Sequence, residues 1–368
     1  MSTFAVEFFR AVFYTAHPLN KALKIKKLLL SISLLFAGLS APLFSAASTH
    51  EEEHEAEFFN AGETIMHHIL DAHEMHIFDG FTIPLPVILF TEKGLDIFMS
   101  SEFHHGTEPY TSPSTGNTYT IEHEHISEAS GMGVTDLSIT KNVFGMFMCL
   151  IIMFWLFLGT AKGYKVNKGS APKGVQAVME PLILFIRDEV AKPSIGKHYE
   201  RFMPFLLTIF FFILISNFLG LIPFLGGMNI TGNITVTMVL AIFTFAITSY
   251  SGNKGYWMHI IRPPGVPLWL LPIMFPIEVL GVFSKPFVLM LRLFANITAG
   301  HVILLSFTSL IFIFAQNNGH IAGFGVSVVS VAFSIFMNTL ELLVAFLQAY
   351  VFTLLSALYF GMATEEHH

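Results

Sequence analysis

Charge is scarce in this chain. Of its 368 residues, 12% are Asp, Glu, Lys or Arg, about half the share of an ordinary soluble domain. Cysteine is nearly absent: the lone Cys149 excludes an internal disulfide and any cysteine-held metal cluster. Basic residues are missing from one whole stretch. Between His50 and Ser130 there are sixteen Asp/Glu against one Lys, while the rest of the chain has ten against eighteen. Two parts of opposite sign suggest two sides of a membrane. What fills the chain is apolar: 53% hydrophobic residues with forty phenylalanines, and a mean hydropathy of +0.64. These values imply an all-α polytopic membrane protein in which the bilayer replaces a large aqueous core.

Lys21, Lys24, Lys26 and Lys27 precede the apolar run "LLLSISLLFAGLSAPLFSAAS", with small residues Ser45 and Ala47 before Ser48. Residues 1–47 therefore have the layout of a secretory signal peptide; the alternative is an uncleaved first helix. Residues 48–140 are expected to form a small exported, acidic, His-rich segment with some strand content, as in "FTIPLPVILF". Residues 141–368 are expected to form the membrane domain. About five spans are expected there: 142–161, 202–225, about 234–250, about 277–315 and 322–363. The stretch 263–276 is too punctuated by proline for a plain span. The last two spans exceed the ~20 residues that a perpendicular crossing needs, so they should lie tilted as an antiparallel hairpin. The loop 162–201 carries eight Lys/Arg. By the positive-inside rule it should be cytoplasmic, which puts the acidic segment outside and the C-terminus inside a bacterial inner membrane.

From Gly265 to Ala363 only Glu278, Lys285, Arg292 and Glu341 belong to the strongly charged types. A charge at bilayer depth costs at least a few kcal/mol and persists mainly where it is paired or functional. Glu278, Lys285 and Arg292 are seven apart, so they fall within roughly 20° of one helix face and climb about 21 Å. Asn296 continues that face, and His301 lies roughly half a turn out of phase. On the last helix Glu341, Gln348 and Tyr359 share a face, extended outward by Ser334 and Asn338. With a turn centred near Gly319–His320, residues should be level where their numbers sum to about 640. Arg292 then meets Gln348, and His301 meets Glu341. Helix–helix glue would explain the amides. It explains Arg292 less well, because no carboxylate lies level with it, and its partner should come from another chain.

The pattern resembles subunit a of the F-type ATP synthase membrane sector. The likeness rests on "SKPFVLMLRLFANITAGH", "LQAYVFTLLSALYF", "SNFLGLIP", Glu278 in "PIEVLG" and the terminal "ATEEH", and covers about 139–367. It implies that Arg292 faces the carboxylate of a rotating c-subunit ring, forces that carboxylate to release its proton, and blocks leakage between two offset aqueous half-channels. It implies that Asn296, His301, Asn338, Glu341 and Gln348 line the outer half-channel, with Glu278, Lys285 and Tyr359 on the pathway as well, the first two on the cytoplasmic exit side. The implied partners are the c-ring, the b-subunit peripheral stalk, the F1 sector and membrane lipid, with no nucleic acid and no cofactor or metal. Two departures stand out. The best-studied bacterial members carry a carboxylate at the position of His301 and a histidine at that of Glu341, so the pair is swapped, as in mitochondrial relatives. Gly220 stands where some bacterial members place an Asp.

The residue types suit such a task. Arginine keeps its proton under any cellular condition, so it acts as a fixed barrier charge. Beside it, a lipid-buried carboxylic acid ionises. A histidine can relay protons near neutral pH. Without a Walker motif the chain neither makes nor hydrolyses ATP itself. "HEEEH" (His50–His54) matches a metalloprotease pattern but sits in a low-complexity acidic run. The His-rich segment, with His67, His68, His73 and His76, could hold zinc or collect protons; a solvated acidic face is the plainer reading. Two rival classes are weaker. A secondary antiporter should show internal repeats, and a membrane metalloenzyme or haem protein needs inward histidines on several spans.

Overall fold

A computed structural model describes residues 60–365 apart from 79–80, 107, 123, 132, 168–169, 223–226 and 264. The expected leader and the His50–His54 run lie outside the described residues. After a short helix, α1 (Ala61–Ile69), the chain turns to strands. β1 (Glu74–Phe78) and β2 (Phe81–Pro84) pair antiparallel, with a register irregularity between His76 and Phe78. β3 (Pro86–Thr91) and β4 (Gly94–Met99) form a tight hairpin in which Thr91 pairs with Gly94. β5 (Tyr110–Thr111), β6 (Thr118–Glu122) and β7 (His125–Glu128) make a separate three-stranded sheet, and β8 (Thr135–Asp136) returns to the free edge of β3. In β3 the alternation of burial decides the inner face. Val87 and Leu89 join Phe103 and Tyr119 in a small core, while Phe90 points out.

One charge is sealed into this strand unit. Asp96 is fully buried, and its carboxylate accepts hydrogen bonds from Ser112 and Tyr119, each at 2.6 Å, and from Ser114 and Thr115. Burial alone would raise its pKa; the four hydroxyls outweigh that and hold it at about 2.

The helical part begins at α2 (Lys141–Val166), whose cap is Thr140, with a side chain that accepts from the Val143 amide. α3 (Val175–Phe185) runs on through a π-helical turn at Ile186–Ala191 into α4 (Lys192–Ile195), then into α5 (Tyr199–Gly220). α6 (Ile234–Ser251) and the short α7 (Lys254–Ile261) follow. The chain closes with two long helices, α8 (Leu271–Asn318) and α9 (His320–Thr364). Among the described residues, five helical stretches are long and apolar enough to cross a membrane. At 48 and 45 residues, α8 and α9 would reach about 70 Å if straight, against about 30 Å of hydrocarbon. They must tilt, curve or extend beyond the bilayer.

Among the boundaries that differ from those expected, two change the reading of a whole stretch. The basic stretch 162–201 is helical from Val175 onward rather than one loop. Its charges are carried on the helix surface, where Asp188 binds Arg187 at 2.8 Å and Lys192 at 2.6 Å. The proline-rich 263–276 stretch closes with a 3₁₀ turn at Leu268–Leu270 and the first turn of α8. A proline in the first turn loses no helical hydrogen bond, so Pro272 starts the helix six residues early.

The core runs between α5 and the last third of α9. Phe202, Leu206, Phe210 and Ile213 pack toward Ala349, Phe352 and Phe360, and Phe202 stacks on Phe360 at 4.7 Å. Hydroxyls inside these apolar helices bond back to their own backbone, as Thr244 does to Leu240 and Thr353 to Ala349. The single residue between α8 and α9 is Gly319, at φ +84°, a conformation that side-chain-bearing residues rarely adopt.

Candidate functional site

Midway along the α8–α9 hairpin the two titratable side chains meet. His301 Nδ1 lies 3.8 Å from Glu341 Oε1, with side chains 14% and 7% exposed. Contacts along the hairpin join residues whose numbers sum to 638 (Ala315 with Gly323), 642 (His301 with Glu341) and 644 (Lys285 with Tyr359). Each is within about one helical turn of the expected 640. Close approach of the helices is permitted by Gly300, where a Cβ would sit 2.8 Å from Glu341 Oε1.

The pair opens into a small cleft between α5, the loop after it, α8 and α9. Ser216 and Asn217 wall it from α5, and Asn229 and Thr231 from the loop. Asn217 donates to the Ala345 carbonyl at 3.1 Å and accepts from the Thr231 hydroxyl at 2.5 Å, which ties three elements together. Among the described residues, Glu341 Oε1 and both side-chain polar atoms of Asn229 are buried without a hydrogen-bond partner. Buried polar atoms of that kind are ordinarily met by water, and the cleft is polar enough to hold it. A Cβ on Gly220 would lie 3.8 Å from His301 Nε2 and 2.8 Å from the Met228 carbonyl. A side chain there would point toward His301 but crowd the loop.

The remaining candidates separate into two groups. Arg292, Asn296 and Asn338 are exposed on the surface of the helices. No carboxylate lies within ion-pair reach of Arg292 among the described residues, and no hydrogen bond joins it to Gln348, which is buried at 7% exposure. Lys285 is half-buried, with its ammonium 5.6 Å from the centre of the Tyr359 ring and within range of the charge of Glu278. Tyr359 in turn lies within range of the charge of Arg292. Lys285 and Arg292 thus both act on Tyr359 of the facing helix. Asn217, Asn229 and Thr231 were not singled out by sequence reasoning. Asn217 stands in "SNFLGLIP", a polar residue inside an apolar span, which was signal enough. The two loop residues carried none, since only the tertiary fold brings the loop beneath the hairpin.

No group of three or more His, Cys, Asp or Glu side chains arranged to hold a metal occurs among the described residues.

Comparison with known proteins adds an independent line. The family model described as ATP synthase A chain matches residues 143–361, and a second, described as a domain of unknown function, matches 64–143. ATP synthase subunit a of Chloroherpeton thalassium is 48% identical over 244 residues, 64% of this chain and 70% of the relative. The subunit a of Chlorobium phaeobacteroides is 40% identical over 359 residues, 90% of each chain. That of Myxococcus xanthus is 46% identical over 255 residues, 67% of this chain and 80% of the relative.

Proposed function

The chain belongs to the ATP synthase A chain family, a multi-pass membrane subunit of ATP synthase, and from that membership we propose that it couples proton flow to rotation through Arg292. In this reading Arg292 faces the carboxylate of a c-subunit ring. The cleft holding His301 and Glu341 is the outer half-channel, lined further by Asn296, Asn338 and Gln348. Glu278, Lys285 and Tyr359 serve the cytoplasmic exit. The b-subunit stalk and the F1 sector are the other partners. The acidic strand unit stands outside a bacterial inner membrane, and the C-terminus lies in the cytoplasm.

The observation that carries this reading is the contrast between two environments on one helix. His301 is paired with Glu341 in a buried polar cleft, while Arg292, fewer than three turns away, is exposed with no carboxylate in ion-pair reach among the described residues. An unpaired guanidinium on an apolar helix needs a partner from outside the chain. Around it the α8 surface is apolar and exposed, with Val288 and Leu291 among its residues, which suits a ring of apolar helices.

The chemistry follows from charge. Arg292 lowers the free energy of the ring carboxylate's ionised form, so a proton is released as that carboxylate arrives. Once past the arginine, the carboxylate is re-protonated from the cleft. Arg292 also repels any proton moving straight between the half-channels. Arg292→Ala should therefore stop ATP-driven proton pumping in inverted vesicles and raise passive proton leak after F1 is stripped off. Arg292→Lys keeps a charge but loses the planar fork and can deprotonate when desolvated, so it should behave like the alanine variant. Normal pumping by an assembled Arg292→Ala complex would sink the mechanism.

A further inference from the structure

The strand unit is fastened to the start of α2 by a seam built of titratable groups. Residues 71–73 strap the start of α2. The Ala72 carbonyl accepts from the Lys141 amide at 2.9 Å. Asp71 accepts from the Asn142 amide at 3.0 Å and from the Thr140 hydroxyl at 2.9 Å. His73, 3% exposed, sets its Nε2 3.0 Å from Asp136 Oδ2, and its backbone amide donates to Glu124 at 3.4 Å. The Lys141 side chain, also 3% exposed, lies within range of the charges of Asp71 and Glu124. Its own charge reaches His301.

The same seam roofs the cleft. Met75 and Leu85 of the strand unit pack with Met228 and Met148, and Met228 is a wall of the cleft. One turn into α2, a Cβ on Gly145 would sit 2.7 Å from Met228 Sδ. Two more buried polar atoms lie at the seam: His73 Nδ1 and Asn142 Oδ1 have no hydrogen-bond partner among the described residues. Both Asn229 atoms and Glu341 Oε1, in the cleft itself, are buried without a partner as well.

We propose that the strand unit forms the outer mouth of the proton path, with His73 and Asp136 as its loading pair and Asp71, Glu124 and Lys141 as the charges around it. The inference rests on the outer half-channel reading given above. The Asp136 carboxyl is held below the usual carboxylate range: burial would raise it, but hydrogen bonds from His73 and Ser138 prevail. A carboxylate there keeps His73 Nε2–H as donor and leaves Nδ1 as acceptor. Nδ1 takes a proton from outer water, the imidazolium is compensated by Asp136, and the proton passes through water at Asn142 and Asn229 to Glu341 and His301. The ammonium of Lys141, compensated by Asp71 and Glu124, stands beside this route and disfavours metal cations without blocking proton hopping along hydrogen bonds. A purely structural seam would need the same bonds but not a titrating His73.

The test uses the whole complex in vesicles, with proton conductance measured after F1 removal across a range of outer pH. His73→Gln keeps a hydrogen-bonding side chain of similar reach but cannot load a proton. It and Asp136→Asn should lower conductance several-fold in assembled complexes, most severely at alkaline outer pH where protons are scarce. Parent-like conductance in both assembled variants at every outer pH overturns the inference. Glu341→Gln in the same membranes separates the two ideas. If it lowers conductance while the seam variants do not, only the strand-unit mouth falls; if it too conducts normally, the half-channel reading fails. Should the seam variants not assemble, Asn142→Cys with Cys149→Ser decides. A membrane-impermeant thiol reagent added outside should react and block conductance, and failure to react, or full reaction without block, overturns the inference.

Discussion

The relay pair is where single residues matter most. His301 and Glu341 stand 3.8 Å apart across two helices, and each is the other's nearest titratable neighbour in the cleft. If they act as one unit, exchanging both residues should leave more proton flux than changing either to leucine, measured as ATP-driven pumping. Equal loss in all three variants would count against a shared relay. Asp96 supplies a second residue-scale expectation, this time for stability. Its folded pKa of about 2 lies below the unfolded value of about 3.9. Its contribution is therefore complete above pH 4 and is lost as pH falls from about 4 toward 2. Asp96→Asn should remove charge-assisted bonds worth about 1.5–3 kcal/mol each. Faster amide exchange across 86–128 in the intact, detergent-solubilised chain would register it, and unchanged exchange at neutral pH would refute it.

Elements in this protein are joined by unusually small hinges. α8 and α9 together span 93 residues with Gly319 alone between them, at φ +84° and ψ 165°. Gly319→Val forces a branched residue into that conformation at a cost of about 1–3 kcal/mol. Because the turn sets the register that brings His301 to Glu341, the expected outcome is a lower unfolding temperature together with reduced proton flux. Loss of stability with full flux would show that the cleft holds its geometry without the turn. The π-helical turn at Ile186–Ala191 works differently. It re-aims the chain so that α4 can pass beneath the end of α9, where Gly361 meets the Ser194 backbone.

Across the whole molecule, the acidic strand unit and the basic face around 162–201 lie at opposite ends of the proposed topology. Cysteines placed at Asn60 and at Asn318 should both react with an impermeant reagent added outside intact cells, and one at Ser170 should not. Outside labelling at Ser170→Cys would reverse the orientation and with it the assignment of the two half-channels. The strand unit also belongs to the shared architecture: the alignment with the Chlorobium phaeobacteroides relative runs over 90% of this chain, well beyond the residues that carry the motif.

Much was legible without coordinates. Membrane class, helix number and the hairpin follow from composition and periodicity, because in lipid every backbone group must be satisfied within its own helix. The prominence of Arg292 follows from the cost of an isolated charge, which any reader of the sequence can price from a scale. The meeting of His301 with Glu341 was also within reach, since one tight turn and a constant rise determine which residues are level. What only the tertiary structure decided is whatever depends on elements far apart in sequence. Asn229 and Thr231 read as a plain loop until that loop folded under the hairpin, and Lys192 read as loop charge until Asp188 stood beside it on a helix. His73 read as one histidine of an acidic, His-rich segment, and nothing joined it to Asp136 or Lys141 until 71–73 were strapped to α2. Periodicity carries information along one helix or strand, but contact between distant segments is set by packing of side chains whose partners no local pattern names.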